Sequence, residues 1–143
     1  MPLLIFFTIK LTHGTKIFTL KYSGVIHYPL EQDDKEEARG IKQTLGIISE
    51  EGVYLEKESF WYPVFNKGLV SFNLQIELPP EWDAVSQGER TLHIKEKNLT
   101  RVQWNSPEPQ DEIYLIAARF TEYTQQAGRV AVEAFLRTPD KEL

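Results

Sequence analysis

The sequence predicts an all-β protein, an antiparallel β-sandwich or saddle-shaped curved double sheet. Three observations lead there. Apolar residues recur with period two through most of the chain, the spacing of strands with one buried face. Turn residues interrupt these runs at roughly 8–12-residue intervals, as in sandwiches. Aromatic residues make up 12% of the chain, and their large buried area per residue suits a sheet-rich core. A length of 143 residues fits a single domain, 1–143.

Residues 4–11 alternate as a first strand, and His13-Gly14-Thr15 turns the chain into a second over 17–22. Residues 25–28 extend the sheet after Gly24, a candidate bulge. Residues 31–43 are acidic and polar, a solvated loop or short helix. Residues 70–78 form the clearest strand, with Val70, Phe72, Leu74, Ile76 and Leu78 alternating against Ser71, Asn73, Gln75 and Glu77. Pro79-Pro80 must end it, since proline supplies no ladder donor. Strands over 91–94 and 99–104 flank Glu96-Lys97-Asn98. Residues 106–110, with two prolines, read as an exposed link. Residues 113–120 are apolar on both faces, which predicts a central covered strand. A turn at 125–128 precedes a last strand over 129–137, with Val130, Val132, Ala134 and Leu136 on one side; a helix is the rival there. Residues 138–143 read as a linker.

Composition excludes several functions. The net charge is −5 and no basic run exists, which argues against nucleic acid as a partner. There are no cysteines, hence no disulfide, thiol nucleophile or Cys-zinc site. No apolar run is long enough for a membrane segment, and residues 1–7 lack the basic start and cleavage site of a signal peptide.

Motifs for chemistry are sparse. His13, His27 and His93 form no helical i, i+4 pair, and H-E-x-x-H, G-x-S-x-G and phosphate-loop patterns are absent. The carboxylates of 31–37 miss the calcium-loop spacing. Asn98-Leu99-Thr100 matches a glycosylation sequon, a triplet common by chance. The sequence therefore nominates no catalytic residue and no metal ligand. Phe60, Trp61 and Tyr62, locked by Pro63, read either as a core plug or, with Trp82, as a sugar-stacking platform. The plug is the favoured reading; the platform at Trp61, Tyr62 or Trp82 belongs to the alternative of an independent carbohydrate-binding or adhesion sandwich.

Several phrases follow one another along the chain. They are Lys21-Tyr22-Ser23-Gly24, Gly52-Val53-Tyr54-Leu55, Trp61-Tyr62-Pro63, the strand 70–78 with Pro79, the run Trp82-Asp83-Ala84-Val85-Ser86-Gln87-Gly88, and Trp104 with Pro107. Over residues 17–143 the chain thereby resembles the N-terminal β-domain of the membrane alanyl aminopeptidase family of zinc metallopeptidases, in its divergent bacterial branch. It departs from the family at Asn66 and Gly68, where Asp and Pro are usual. The resemblance implies a non-catalytic structural and substrate-access domain, with no cofactor in this chain and zinc held in a missing catalytic domain beyond residue 143. The implied partners are that C-terminal catalytic domain and a peptide substrate, whose amine would meet Tyr54 or Glu56. A family domain usually begins earlier, so an unpaired sheet edge and self-association are also expected.

Overall fold

A computed structural model describes residues 14, 17–32, 42–64 and 68–140. The strand expected over 4–11, His13, most of the acidic segment and Asn66 lie outside the described residues. The fold is all-β and antiparallel. Strands β1 (Glu31–Gln32) and β2 (Lys42–Gln43) pair briefly. Strands β3 (Gly46–Ile48), β4 (Val53–Leu55), β6 (Asp83–Val85) and β9 (Leu115–Ala118) form a four-stranded sheet in the order β3-β4-β9-β6. Strands β5 (Val70–Leu78), β7 (Glu89–Lys95) and β8 (Thr100–Gln110) form a three-stranded sheet in the order β5-β8-β7. Strands β10 (Thr121–Ala127) and β11 (Val130–Leu136) make a separate hairpin.

The core lies between the two larger sheets. Leu55, Ala84, Leu115 and Ala117 come from the first, and Ile76, Val102 and Trp104 from the second. Each large side chain buried this way contributes about 1.5–3 kcal/mol. The Trp104 indole N–H donates to the Ala84 carbonyl at 2.9 Å and so bonds one sheet to the other. Between β5 and β6 the chain reverses through Pro79-Pro80-Glu81-Trp82, with the Trp82 N–H donating to the Pro79 carbonyl at 3.3 Å. Pro80 presets its own φ, and Glu81 takes φ 70, the positive value that the third residue of a type II turn requires. This corner plants Trp82, only 6% exposed, in the core.

The strand over 70–78 forms as expected, 91–94 lies within β7, and 99–104 falls on β8 from Thr100 onward. Other expectations need correction. Residues 17–22 make no ladder; Ile17 stands 89% exposed, and Tyr22 is tied by its hydroxyl to the Trp61 carbonyl at 2.6 Å. Gly24 is no bulge, because its segment is not in a strand. Residues 26–28 instead touch the edge of β3, through the His27–Ile47 bridge and two backbone bonds of 2.8 and 2.9 Å. Residues 106–110 are not a link but the end of β8. The register slips between Val70 and Phe72, where four β8 steps oppose two of β5, and this bulge lodges Pro107 and Pro109 without demanding ladder donors. β9 does run between two neighbours, but Ile116 is 39% exposed, so one of its faces is wet. The turn expected at 125–128 is the two-residue turn Gly128-Arg129, and β10 was not foreseen. No helix among the described residues is long and apolar enough to cross a membrane.

Gly88 opens β7 at φ 91, and an added Cβ would lie 2.2 Å from the Asn105 carbonyl oxygen. Gly88→Ala is expected to lower unfolding free energy by about 3 kcal/mol, from left-handed strain with an unrelieved backbone clash. Urea denaturation checks it; a loss under about 0.5 kcal/mol, the range of ordinary surface changes, would contradict the geometry.

Candidate functional site

Two clusters of polar side chains assemble from strands distant in sequence. The first closes the seam where β6, β7 and β10 meet. A bulge at Thr91 shifts the phase of β7, so that Arg90 falls on the same face as His93 and Lys95. That face looks inward, since the β8 partners of these residues are the buried Trp104, Val102 and Thr100. Asp83, 1% exposed, meets them from β6. Its Oδ2 lies 2.8 Å from His93 Nε2 and 3.3 Å from Lys95 Nζ, and its Oδ1 accepts the Ala84 N–H at 2.9 Å. From β10, Glu122 takes both guanidinium arms of Arg90, one at 2.9 Å. Arg90 in turn lies over the Phe135 ring at 5.7 Å. The Arg90 pairing holds the Glu122 carboxyl below the usual glutamate range.

Asp83, His93 and Glu122 bring one ligand atom each within 4.8 Å of one another, a spacing compatible with a divalent metal. The chemistry of the donors fits poorly. Each carboxylate already faces a cation of this chain, and a metal would have to sit beside Arg90 and Lys95. Buried carboxylates need such partners in any case, and here they have them. The arrangement is a charge-compensated clasp that joins three sheets. His27 lies apart on its bridge to β3.

The second cluster surrounds the two residues singled out for amine contact. The Tyr54 hydroxyl donates to Glu56 Oε2 at 3.0 Å. The Tyr114 hydroxyl donates to Glu112 Oε1 at 2.7 Å, a bond that pushes its pKa up to about 12. The pairs are neighbours because β4 and β9 are antiparallel with Leu55 opposite Leu115, so the same register brings Glu56 opposite Tyr114. Gln87 anchors the turn before β9, accepting the Tyr114 N–H at 2.9 Å and donating to the Glu112 carbonyl at 3.1 Å. Among the described residues no cationic side chain pairs with Glu56 or Glu112. Sequence reasoning missed Glu112 and Tyr114. Their signal is a Glu-x-Tyr that mirrors Tyr-x-Glu, visible only once the strands are paired. Beside this cluster an apolar cleft of about 370 Å³ is lined by Tyr62, Pro63, Val70 and Ile113, with Lys57 and Asp111.

The aromatic residues do not assemble into a shared platform. Trp61 and Tyr62 pack edge to face, with centroids 5.2 Å apart, and both are half-buried. The Trp61 indole donates to the Ile113 carbonyl at 3.3 Å and the Tyr62 hydroxyl accepts the Ile113 N–H at 3.2 Å. They peg the 3₁₀ turn Lys57–Ser59 to the start of β9, while Phe60 closes that turn at φ 54. Trp82 is buried, with the Arg119 guanidinium 5.9 Å from its ring, so it presents no face to a sugar. No family model, curated protein or solved structure matches this chain.

Two measurements follow from this geometry. Because the Glu122 carboxyl titrates lower when folded than when unfolded, its pairing stabilises the fold above the ordinary glutamate range and is lost as pH falls through the folded value. Glu122→Gln should therefore be less stable than the wild type at neutral pH, with the gap closing in acid. Equal gaps at every pH in thermal melts would remove the clasp from the account. In the second measurement, intrinsic tryptophan emission should be dominated by the buried Trp82 and Trp104, hence blue-shifted and unmoved by added glycans. A red-shifted, glycan-responsive spectrum would favour the platform.

Proposed function

We propose that this chain is a non-catalytic structural and substrate-access domain, working beside a zinc-aminopeptidase-like catalytic domain of the same polypeptide. The observation that carries this reading is the Tyr54–Glu56 and Tyr114–Glu112 cluster. Two carboxylates are held by hydroxyls, lack a cationic partner among the described residues, and lie on a half-exposed strand end. An ammonium group is the natural counterpart of such a pair, because a charge-assisted bond to a partly desolvated carboxylate is stronger than a neutral one. The free amine of a peptide meets that description. The remaining charges support a structural role, since the clasp at Asp83 and Glu122 spends them on joining sheets rather than on a substrate. Catalysis and zinc belong, in this reading, to the neighbouring domain.

The test uses the purified chain. Leucinamide should bind weakly, with amide shifts concentrated at Tyr54, Glu56, Glu112 and Tyr114, and the combined Glu56→Gln and Glu112→Gln variant should abolish the response. The chain should carry no stoichiometric zinc and cleave no aminoacyl anilide. Zinc together with anilide cleavage by this chain alone would sink the proposal. So would leucinamide shifts confined to other surfaces.

A further inference from the structure

The three-stranded sheet has two edges, and they are built differently. The β7 edge is guarded. It carries a bulge at Thr91 and three inward-pointing basic or imidazole side chains, Arg90, His93 and Lys95, that are engaged by Asp83 and Glu122. Bulges and inward charges are the standard means by which an edge strand is kept from pairing with another chain. The β5 edge has neither over most of its length. From Phe72 to Leu78 its pairing with β8 runs without a break, and it contains no proline, lysine or arginine. Among the described residues no strand lies beyond it. Its inward-facing Val70, Phe72, Leu74 and Leu78 are only half-buried, although Leu74 and Leu78 pack against the same core as the fully buried β8 residues Val102 and Trp104. One more strand would cover them.

We propose that this edge is a self-association surface, and that its occupant is β5 of a second copy, paired antiparallel about a two-fold axis at Leu74. The strand is complementary to itself in that register. Val70 meets Leu78, Phe72 meets Ile76, and Leu74 meets Leu74 on the core side. On the wet side Ser71 meets Glu77 and Asn73 meets Gln75. Every pair is apolar with apolar or polar with polar, and no like charges are opposed. Glu77, the one charge on the strand, is already tied to Arg101 of β8 at 3.0 Å. The contact is isologous, as a two-fold dimer requires, and it joins two three-stranded sheets into one of six. This inference rests on the strand edges and not on the functional reading above, so either can fail without the other.

Asn73 and Gln75 are exposed, and their β8 partners are the uncharged Asn105 and Gln103. Within the monomer the combined substitution Asn73→Lys with Gln75→Lys gives up only the exposed 3.5 Å contact from the Asn73 amide to Asn105 Oδ1, but it sets lysine against lysine twice across the two-fold axis. Sedimentation equilibrium should find the wild type as a dimer at high micromolar concentration. The double-lysine variant should associate roughly tenfold or more weakly, given the cost of directly opposed like charges on paired strands, with an unchanged melting temperature. Mixing it with an Asn73→Glu, Gln75→Glu variant should restore a dimer of one copy of each. Three results would overturn the proposal. The wild type could be monomeric at all concentrations. It could become dimeric only when residues 1–13 are deleted, which would assign the edge to the chain's own N-terminal segment. Or the dimer could survive both lysines yet be lost on Val130→Ser with Val132→Ser, which would place the contact on the hairpin.

Discussion

Two short-stranded sheets can share a core only if something fixes their separation and register, and here that is the Trp104 indole. Its ring fills the space between the sheets, and its N–H reaches across to the Ala84 carbonyl, so a single side chain supplies both packing and a directional tie. The residues around it are small where it is large. Ala84 and Ala117 are almost fully buried beside it. Such pairing of one bulky ring with small partners is how a core reaches crystal-like density without strain. The Pro-Pro corner serves the same end, because it delivers Trp82 and then Ala84 to their places within a few residues of leaving β5.

The charged clasp is the polar counterpart of that apolar tie. A sandwich built from four and three strands has open seams, and the one between β6 and β7 would expose core to water. Arg90 is largely covered there, at a desolvation cost that nearby carboxylates offset, while His93 and Lys95 line the seam with part of each side chain still in water. Asp83 and Glu122 meet that need, and Glu122 brings the hairpin with it. The position of the hairpin is thus a consequence of how the seam is neutralised. Arg137, donating to the Glu51 carbonyl at 3.0 Å, adds a second attachment.

Much of this architecture was legible in the residues, and the limits follow from physics. The period-two pattern of Val70–Leu78 marked its strand because one face is dry and the other wet. The prolines of 106–110 misled, since proline excludes a ladder only where a donor is needed, and a bulge removes the need. β10 was hidden because Thr121–Ala127 lies largely in water on both faces and carries no alternation. Tyr54 and Glu56 were singled out only through the family resemblance, as alternative amine contacts, and their bond to one another appears only in the structure. Their partners Glu112 and Tyr114 arrive through strand pairing, and Asp83, Arg90 and Glu122 converge from three strands. No local spacing encodes such meetings. The net charge of the whole chain likewise gave no hint that Arg90, His93 and Lys95 would line up on one seam.

The hairpin's far end is the least committed part of the molecule. Beyond Tyr123 and Ala134 its side chains face solvent on either side, and Gly128, at φ 63, has open space where a Cβ would sit. Nothing in the core leans on those residues. Foreign sequence grafted between Gly128 and Arg129, whether an epitope, a fluorophore site or a whole folded insert, would meet no packed neighbour there, which makes this tip the natural attachment point for anyone wishing to label the chain without disturbing it.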